Sequence, residues 1–227
     1  MEDALNKAIR TMQEEGAEFC DARYEDRWGL IISVSNRELR NLSTNRIAGV
    51  GLRARIGGSW GSSSGGRFDP ESLREMARKA VRAAKLGDSP GAPIPEQPAY
   101  TGKFQMKMRV PPANVPVEEK LAMVKDLDEA QHISDRIVNT NAIYSEGKRT
   151  TVLVNSFGSR LRWEDGRLRM NAIAVARENG RMESYREGIA GSKGMELIQQ
   201  RDLSEMGGSA AREAIVQLGA VKPPSGR

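Results

Sequence analysis

RIAGVGLRARIGGSWGSSSGG, residues 46–66, holds a strand, a turn and a returning strand in one run. Val50, Leu52, Ala54 and Ile56 alternate with Gly51, Arg53 and Arg55. Successive side chains of a strand point to opposite faces, so one face here is apolar and the other carries glycine and arginine. Gly57-Gly58 supplies the positive φ of a two-residue hairpin turn, and residues 59–62 return. Asp69-Pro70-Glu71 then opens a helix, with Asp69 at the N-cap and Pro70 at the first helical position. A hairpin that closes a sheet and hands over to a helix sets the class as α+β.

Toward the amino terminus, Ala4, Leu5, Ala8, Ile9 and Met12 recur at helical spacing, and Gly16 ends the run. Residues 19–27 and 30–34 read as strands with a turn at Trp28-Gly29. Asn36-Arg37 reads as a second turn, into a strand over 39–44. Past the hairpin, Leu73, Met76, Ala77, Ala80, Val81 and Ala84 form the apolar stripe of a helix that stops at Gly87. Most of the chain's prolines follow, from Pro90 to Pro116. Proline cannot donate to a ladder and restrains the residue before it, so this stretch reads as a stiff, extended linker. Residues 104–110 are expected to form a short edge strand within it.

A second unit opens at Pro116, with Val117, Leu121, Val124 and Leu127 along one helical stripe. Strands are expected over 137–144 and 150–155, with a turn at Ser156-Phe157-Gly158. Leu161 and Trp163 alternate with Arg160 and Arg162, and Asp165-Gly166 carries a hairpin signal. Leu168, Met170, Ala172, Ala174 and Ala176 line one face of a long strand, which Asn179-Gly180 turns back. A last helix starts at Asp202, with Glu205 three residues on as in a capping box. The expected division is a first α+β unit over 1–87, a Pro-rich linker over 88–115, a second α+β unit over 116–221, and a tail over 222–227. Ala22-Arg23-Tyr24 precedes Val34 by the spacing at which Ala142-Ile143-Tyr144 precedes Val154. Each unit also turns its last hairpin on glycine, so an internal duplication is expected.

The composition excludes more than it assigns. Thirty-five Lys and Arg against 30 Asp and Glu leave a net charge of +5, scattered rather than clustered, so a solvated surface is expected rather than a nucleic-acid footprint. No apolar run approaches the ~20 residues of a membrane helix, and the charged helical start does not suit a secretory signal, so a cytoplasmic protein is expected. The chain has one Cys, Cys20, and one His, His132, too few to build a zinc site of the usual Cys and His ligands. The run Gly61–Arg67 approaches a phosphate loop, but Arg67 stands where lysine is needed and Phe68 where a metal-binding hydroxyl is needed. No catalytic or metal-ligating set emerges. The candidate substrate-binding residues are Arg46, Gly49, Gly51, Arg53 and Trp60 on the glycine–arginine strand face and its hairpin. Their structural alternative is close-packing glycines, a core Trp60 and solvent-facing arginines.

The pieces and their order resemble the amino-terminal part of the TldD/PmbA family, once named modulators of DNA gyrase. The resemblance runs through AEFCDARY at 17–24, RIAGVGLR at 46–53, GSWG at 58–61, DPESL at 69–73, VPVEEKL at 115–121, VNSFG at 154–158 and AAREA at 210–214, and reaches KPPSG at 222–226. It implies a cytoplasmic zinc metalloprotease family that hydrolyses unfolded peptides, including in peptide processing, and works as homodimers or as heterodimers of a catalytic and a silent relative. It places the zinc motif, a His-Glu-x-x-x-His helix with a later Cys, in a third domain. His132 and Cys20 do not match those positions, so no catalytic or metal residue carries over and zinc is expected only in that further domain. The implied role is a non-catalytic, amino-terminal part that encloses the peptide chamber and contributes to pairing, inactive alone. A stand-alone peptide- or protein-binding module, or a silent partner subunit, is the alternative.

Overall fold

Helix α1 (Glu2–Glu14) buries Leu5, Ala8, Ile9 and Met12 along one stripe, and Gly16, at φ +99°, turns the chain out of it. Strands β1 (Phe19–Ser35), β2 (Glu38–Ile56) and β3 (Ser59–Gly65) follow. Both joining turns, Asn36-Arg37 and Gly57-Gly58, have positive φ at both central residues, the geometry whose twist suits tight hairpins. Helix α2 (Pro70–Lys85) is capped by the Asp69 carboxylate, which accepts from the Ser72 N–H at 2.9 Å. Strand β4 (Thr101–Gln105), a turn of 3₁₀ helix (Pro112–Asn114) and helix α3 (Val117–Glu129) lead to the long strands β5 (Ile137–Asn155) and β6 (Arg160–Glu178). A third positive-φ turn, Asn179-Gly180, joins β6 to β7 (Arg181–Gly191). Helices α4 (Glu196–Gln199) and α5 (Leu203–Gln217) end the fold, the second capped by Asp202 accepting from the Glu205 N–H at 3.0 Å. This computed structural model describes residues 1–88, 91–95, 97–221 and 226. Pro90 of the expected linker and all of the expected tail but Gly226 lie outside the described residues.

The protein is α+β, with one seven-stranded sheet in the order β3-β2-β1-β5-β6-β4 and β7 also paired to β6. Strands β2/β3 and β6/β7 pair antiparallel, and β4 lies parallel to β6. The chain forms two compact units. The first takes Met1–Trp28, Arg46–Gln105 and Lys148–Asp165; the second takes Gly29–Asn45, Met106–Gly147 and Gly166–Arg227. The units interleave along the chain, because β1, β2, β5 and β6 each give one end to each of them.

In the first unit α1 and α2 cover one sheet face, burying Cys20, Ala22, Val50, Leu52, Ala54, Val152 and Val154. Each Val or Leu sealed this way contributes ~1.5–3 kcal/mol relative to exposure. Helix α2 sits directly on Gly61 of β3, where an added Cβ would lie 2.1 Å from the Ala80 carbonyl oxygen. In the second unit α3 and α5 cover the apolar residues of β1, β5 and β6 from Leu30 to Ala176, including Tyr144 and Met170. Helix α5 approaches α3 at Gly207, whose Cβ would lie 2.7 Å from the Ala130 methyl.

Two expected turns are strand instead. Strand β1 runs unbroken through Trp28-Gly29, and β6 through Asp165-Gly166. The glycines serve close approach there. A Cβ at Gly29 would sit 2.7 Å from Asn45 Oδ1, and one at Gly166 would sit 2.9 Å from the Gly147 carbonyl oxygen. Likewise 137–144 and 150–155 are one strand, β5, and 39–44 is the start of β2. The strand expected over 104–110 lies earlier, at Thr101–Gln105.

Candidate functional site

Strand alternation leaves the first unit's sheet with one face under α1 and α2 and an opposite face bearing Asp21, Arg23, Glu25 and Arg27 of β1, Gly49, Gly51 and Arg53 of β2, and Trp60 of β3. A shallow groove of about 590 Å³ lies on that face. That is within the ~300–1,000 Å³ common for ligand pockets. Gly49 and Gly51 floor it, between the charged side chains of β1 and Ser64-Gly65 of β3, with Ile47 at one end.

Arg53 follows Gly51 on the same face. Its guanidinium donates to both oxygens of Asp21, the closest pair at 2.6 Å, and lies over the Trp60 ring at 5.2 Å. Trp60 meets Phe19 edge-on, and Phe19 in turn meets Phe157. Arg23 and Arg27 both bond Glu25, Arg27 through Nη2 at 2.6 Å. Burial pushes the Glu25 carboxyl up, but the Arg27 hydrogen bond and the two guanidinium charges hold it below its ordinary range. Arg149 pairs with Asp165 at 2.8 Å, and Arg23 lies 5.9 Å from the centre of the Trp163 ring.

The five residues named from sequence divide. Gly49 and Gly51 line the groove, and Arg53 and Trp60 stand together beyond Gly51. Arg46 is separate: it grips Asp26 through two hydrogen bonds of 2.9 and 2.6 Å, and alternation puts it on the face of Tyr24 and Asp26. Trp60 is not core; it is 47% exposed. Arg55 is not solvent-facing. It is 8% exposed, pairs with Glu18 and donates to the carbonyls of Gly91 and Ala92. Sequence reasoning missed Arg23, Glu25 and Arg27. Their signal was available as Arg-x-Glu-x-Arg, a period of two that places three charges on one strand face.

The second unit holds polar clusters that act as fasteners. Fully buried Asp128 accepts from Thr140 Oγ1 at 2.8 Å and from the Arg37 N–H at 2.7 Å, tying the Asn36-Arg37 turn to the end of α3. His132 lies just past α3, with Nε2 3.3 Å from Thr140 Oγ1 and 3.6 Å from Asp128. Lys120 and Glu146 form a buried ion pair at 2.9 Å, and Tyr144 donates to the same carboxylate. Burial, and then that hydrogen bond, push the Tyr144 phenol far up.

The donor set present does not suit zinc. The Cys20 thiol is fully buried and bonds the Ile9 carbonyl, and burial pushes its pKa up to about 11. His132 is engaged by Asp128 and Thr140, and among the described residues no three His, Cys, Asp or Glu side chains converge as a metal site. Among them, too, no helix is long and apolar enough to cross a membrane.

Residues 20–84 match the model for PmbA/TldA metallopeptidase domain 1, and residues 110–218 match that for the PmbA/TldA metallopeptidase central domain. A metalloprotease of Methanothermobacter thermautotrophicus is 28% identical over 219 residues, covering 94% of this chain and 46% of that protein. A metalloprotease of Synechocystis is 27% identical over 206 residues, covering 89% of this chain and 43% of that protein. The chain thus spans about half the length of the curated relatives it matches. Its fold superposes on that of a modulator of DNA gyrase from Bacteroides thetaiotaomicron with a TM-score of 0.83, at 17% identity over 97% of this chain and 51% of that one. TldE from Thermococcus kodakarensis superposes with a TM-score of 0.67, at 18% identity over 93% of this chain and 47% of that one. Two successive domain models, the curated relatives and a common fold agree: the chain belongs to the PmbA/TldD metallopeptidase family and carries that family's first and central domains.

Proposed function

We propose that this chain is the non-catalytic, amino-terminal portion of a TldD/PmbA-like metallopeptidase, lining the chamber that holds an unfolded peptide and contributing to subunit pairing. The zinc and the residues that hydrolyse the peptide bond belong, on this reading, to a further domain. The observation that carries it is the bare face of the first unit's sheet. It is floored by glycine and edged by charged and aromatic side chains, and among the described residues no three His, Cys, Asp or Glu side chains converge there as a metal site. Such a face suits holding a chain rather than cutting it. The two domain models that fit the chain support reading it as the first and central domains of such a protein. The expected partner is a second copy or a family relative, in the cytoplasm.

The exchange of strand ends between the units supports an origin by internal duplication. Residues 19–28 of β1 lie in the first unit and 29–35 in the second; β5 reverses this, with 137–147 in the second and 148–155 in the first.

The test is to purify the chain alone and together with a zinc-bearing catalytic polypeptide of the family. Alone, it is expected to retain far less than one zinc per chain after dialysis and to leave unfolded casein intact. With the catalytic polypeptide, it is expected to elute as one species that degrades casein. Stoichiometric zinc and cleavage by the chain alone would overturn the proposal, as would failure to associate.

A second reading, a stand-alone peptide-binding module, is favoured by one observation. The pairing of β2 with β3 ends at Val50, so among the described residues no strand pairs with β2 on that side over residues 38–49, and open strand edges accept added strands. Its arginine-face version loses support, since Arg53 and Arg55 are engaged by Asp21 and Glu18.

A further inference from the structure

The groove on the first unit has a direction and a charge. From Ile47 to Arg53 strand β2 runs about 20 Å at ~3.3 Å per residue. Over that length it presents glycine at both intervening positions of the bare face. A Cβ at Gly51 would meet nothing within 4 Å, and one at Gly49 only the Gly65 carbonyl oxygen, at 3.6 Å. The glycines therefore open a trough along the strand instead of admitting a packed neighbour. Strand β1 flanks it on one side and β3, which pairs with β2 from Val50 onward, on the other, two strand spacings or roughly 10 Å apart. The β3 wall offers the Ser64 hydroxyl. The other holds two arginines that share one carboxylate, leaving one positive charge unmatched. The Arg23 and Arg27 side chains remain 47% and 61% exposed, so a second carboxylate can reach them.

We propose that this trough seats an extended peptide through an acidic side chain, whose carboxylate joins Glu25 between Arg23 and Arg27. The inference rests on the reading of this face as a lining for peptide and names the class of peptide. An extended main chain matches a narrow, straight trough open at the top, and a charge-assisted pair to two guanidiniums selects Asp or Glu over amide or lysine side chains. A nucleic acid is disfavoured, because repeated phosphates laid along the same face would meet Glu25 and Asp21.

The test is fluorescence anisotropy of the full chain with short, labelled, unstructured peptides that differ only at a central Glu, Gln or Lys. The Glu peptide is expected to bind, the Gln peptide at least about tenfold more weakly, and the Lys peptide not at all. Gly51→Leu, whose Cβ meets nothing within 4 Å, puts a bulky side chain into the trough, and Arg27→Gln removes the charge. Each is expected to weaken the Glu peptide about tenfold or more while melting like the wild type. Equal binding of the three peptides, undiminished binding to Gly51→Leu, or no binding to the wild-type chain would overturn the inference. Self-association abolished by Gly51→Leu would also overturn it, assigning the trough to a second copy. The zinc and casein assays are read separately. An intact peptidase assembly indifferent to Gly51→Leu would leave the broader function standing and remove this site alone.

Discussion

Gly61 meets the Ala80 carbonyl oxygen and the Ala84 amide where a side chain would begin, at 2.1 and 2.2 Å. Both are backbone atoms of a helix and neither can swing aside. Gly61→Ala must lift α2 from β3, and overpacking of this kind costs ~1–3 kcal/mol. Urea denaturation should show that loss, whereas Gly51→Ala, with open space around it, should leave the midpoint within error. The buried pair Lys120–Glu146 makes a second residue-scale prediction. Lys120→Met strands the Glu146 charge in the core, and breaking such a pair costs ~3–5 kcal/mol. Lys120→Met with Glu146→Leu should recover part of that loss in the same titration, because no charge is left buried and the Tyr144 hydroxyl keeps Met195 Sδ, at 3.3 Å, as its remaining acceptor. The trough was half legible at this scale. Gly49, Gly51 and Arg53 announce themselves by alternation within one strand, β2. Arg23, Glu25 and Arg27 come from a strand whose pairing beside β2 no local pattern states, though their own spacing already placed them on one face.

At the scale of elements, caps and tight turns were readable because their chemistry is local. Asp69 and Asp202 cap as expected, and Asn36-Arg37, Gly57-Gly58 and Asn179-Gly180 all turn. Gly29 and Gly166 were misread because glycine serves both a turn and a close approach. Which one holds depends on Asn45 and Gly147, distant in sequence. Helix α4 is too short for a periodic signal; its anchor is a single carboxylate. Glu196 accepts from the N–H groups of Val110 at 2.9 Å, Gly194 at 3.1 Å and Arg109 at 3.2 Å. These bonds, the one from Val110 foremost, lower its pKa to about 2 from an ordinary 4.5. A group depressed in the folded state stabilises above its unfolded pKa and loses that contribution as pH falls toward the folded value. The gap in urea midpoint between wild type and Glu196→Gln should therefore be constant above pH 4.5 and close between 4.5 and about 2. A gap unchanged across that window would show that the carboxylate charge is not what holds the segment.

The whole molecule is organised by interleaving rather than by succession. The first unit's core needs Val152 and Val154, which come from the far side of the Pro-rich stretch, and the second unit's core needs Leu30, Ile32 and Val34 from the near side. Expressing 1–105 and 106–227 separately should yield two chains without cooperative thermal transitions. Mixing them from denaturant should restore a single cooperative species by circular dichroism. Two fragments that each melt cooperatively alone would show that the borrowed strand ends are dispensable.

This layout also gives the nascent chain a schedule. By the time α2 has left the ribosome, the first unit has both its helices and β1, β2 and β3 but not β4, β5 or β6. Its last two strand ends, within Lys148–Asp165, are still to be made. At ~5–20 residues per second that wait lasts on the order of ten seconds. For that interval the apolar face of β1 and β2 stands without its neighbour in the sheet. Slow codons over the Pro-rich stretch would lengthen the exposure, and a chaperone that recognises apolar strands would find its opportunity there.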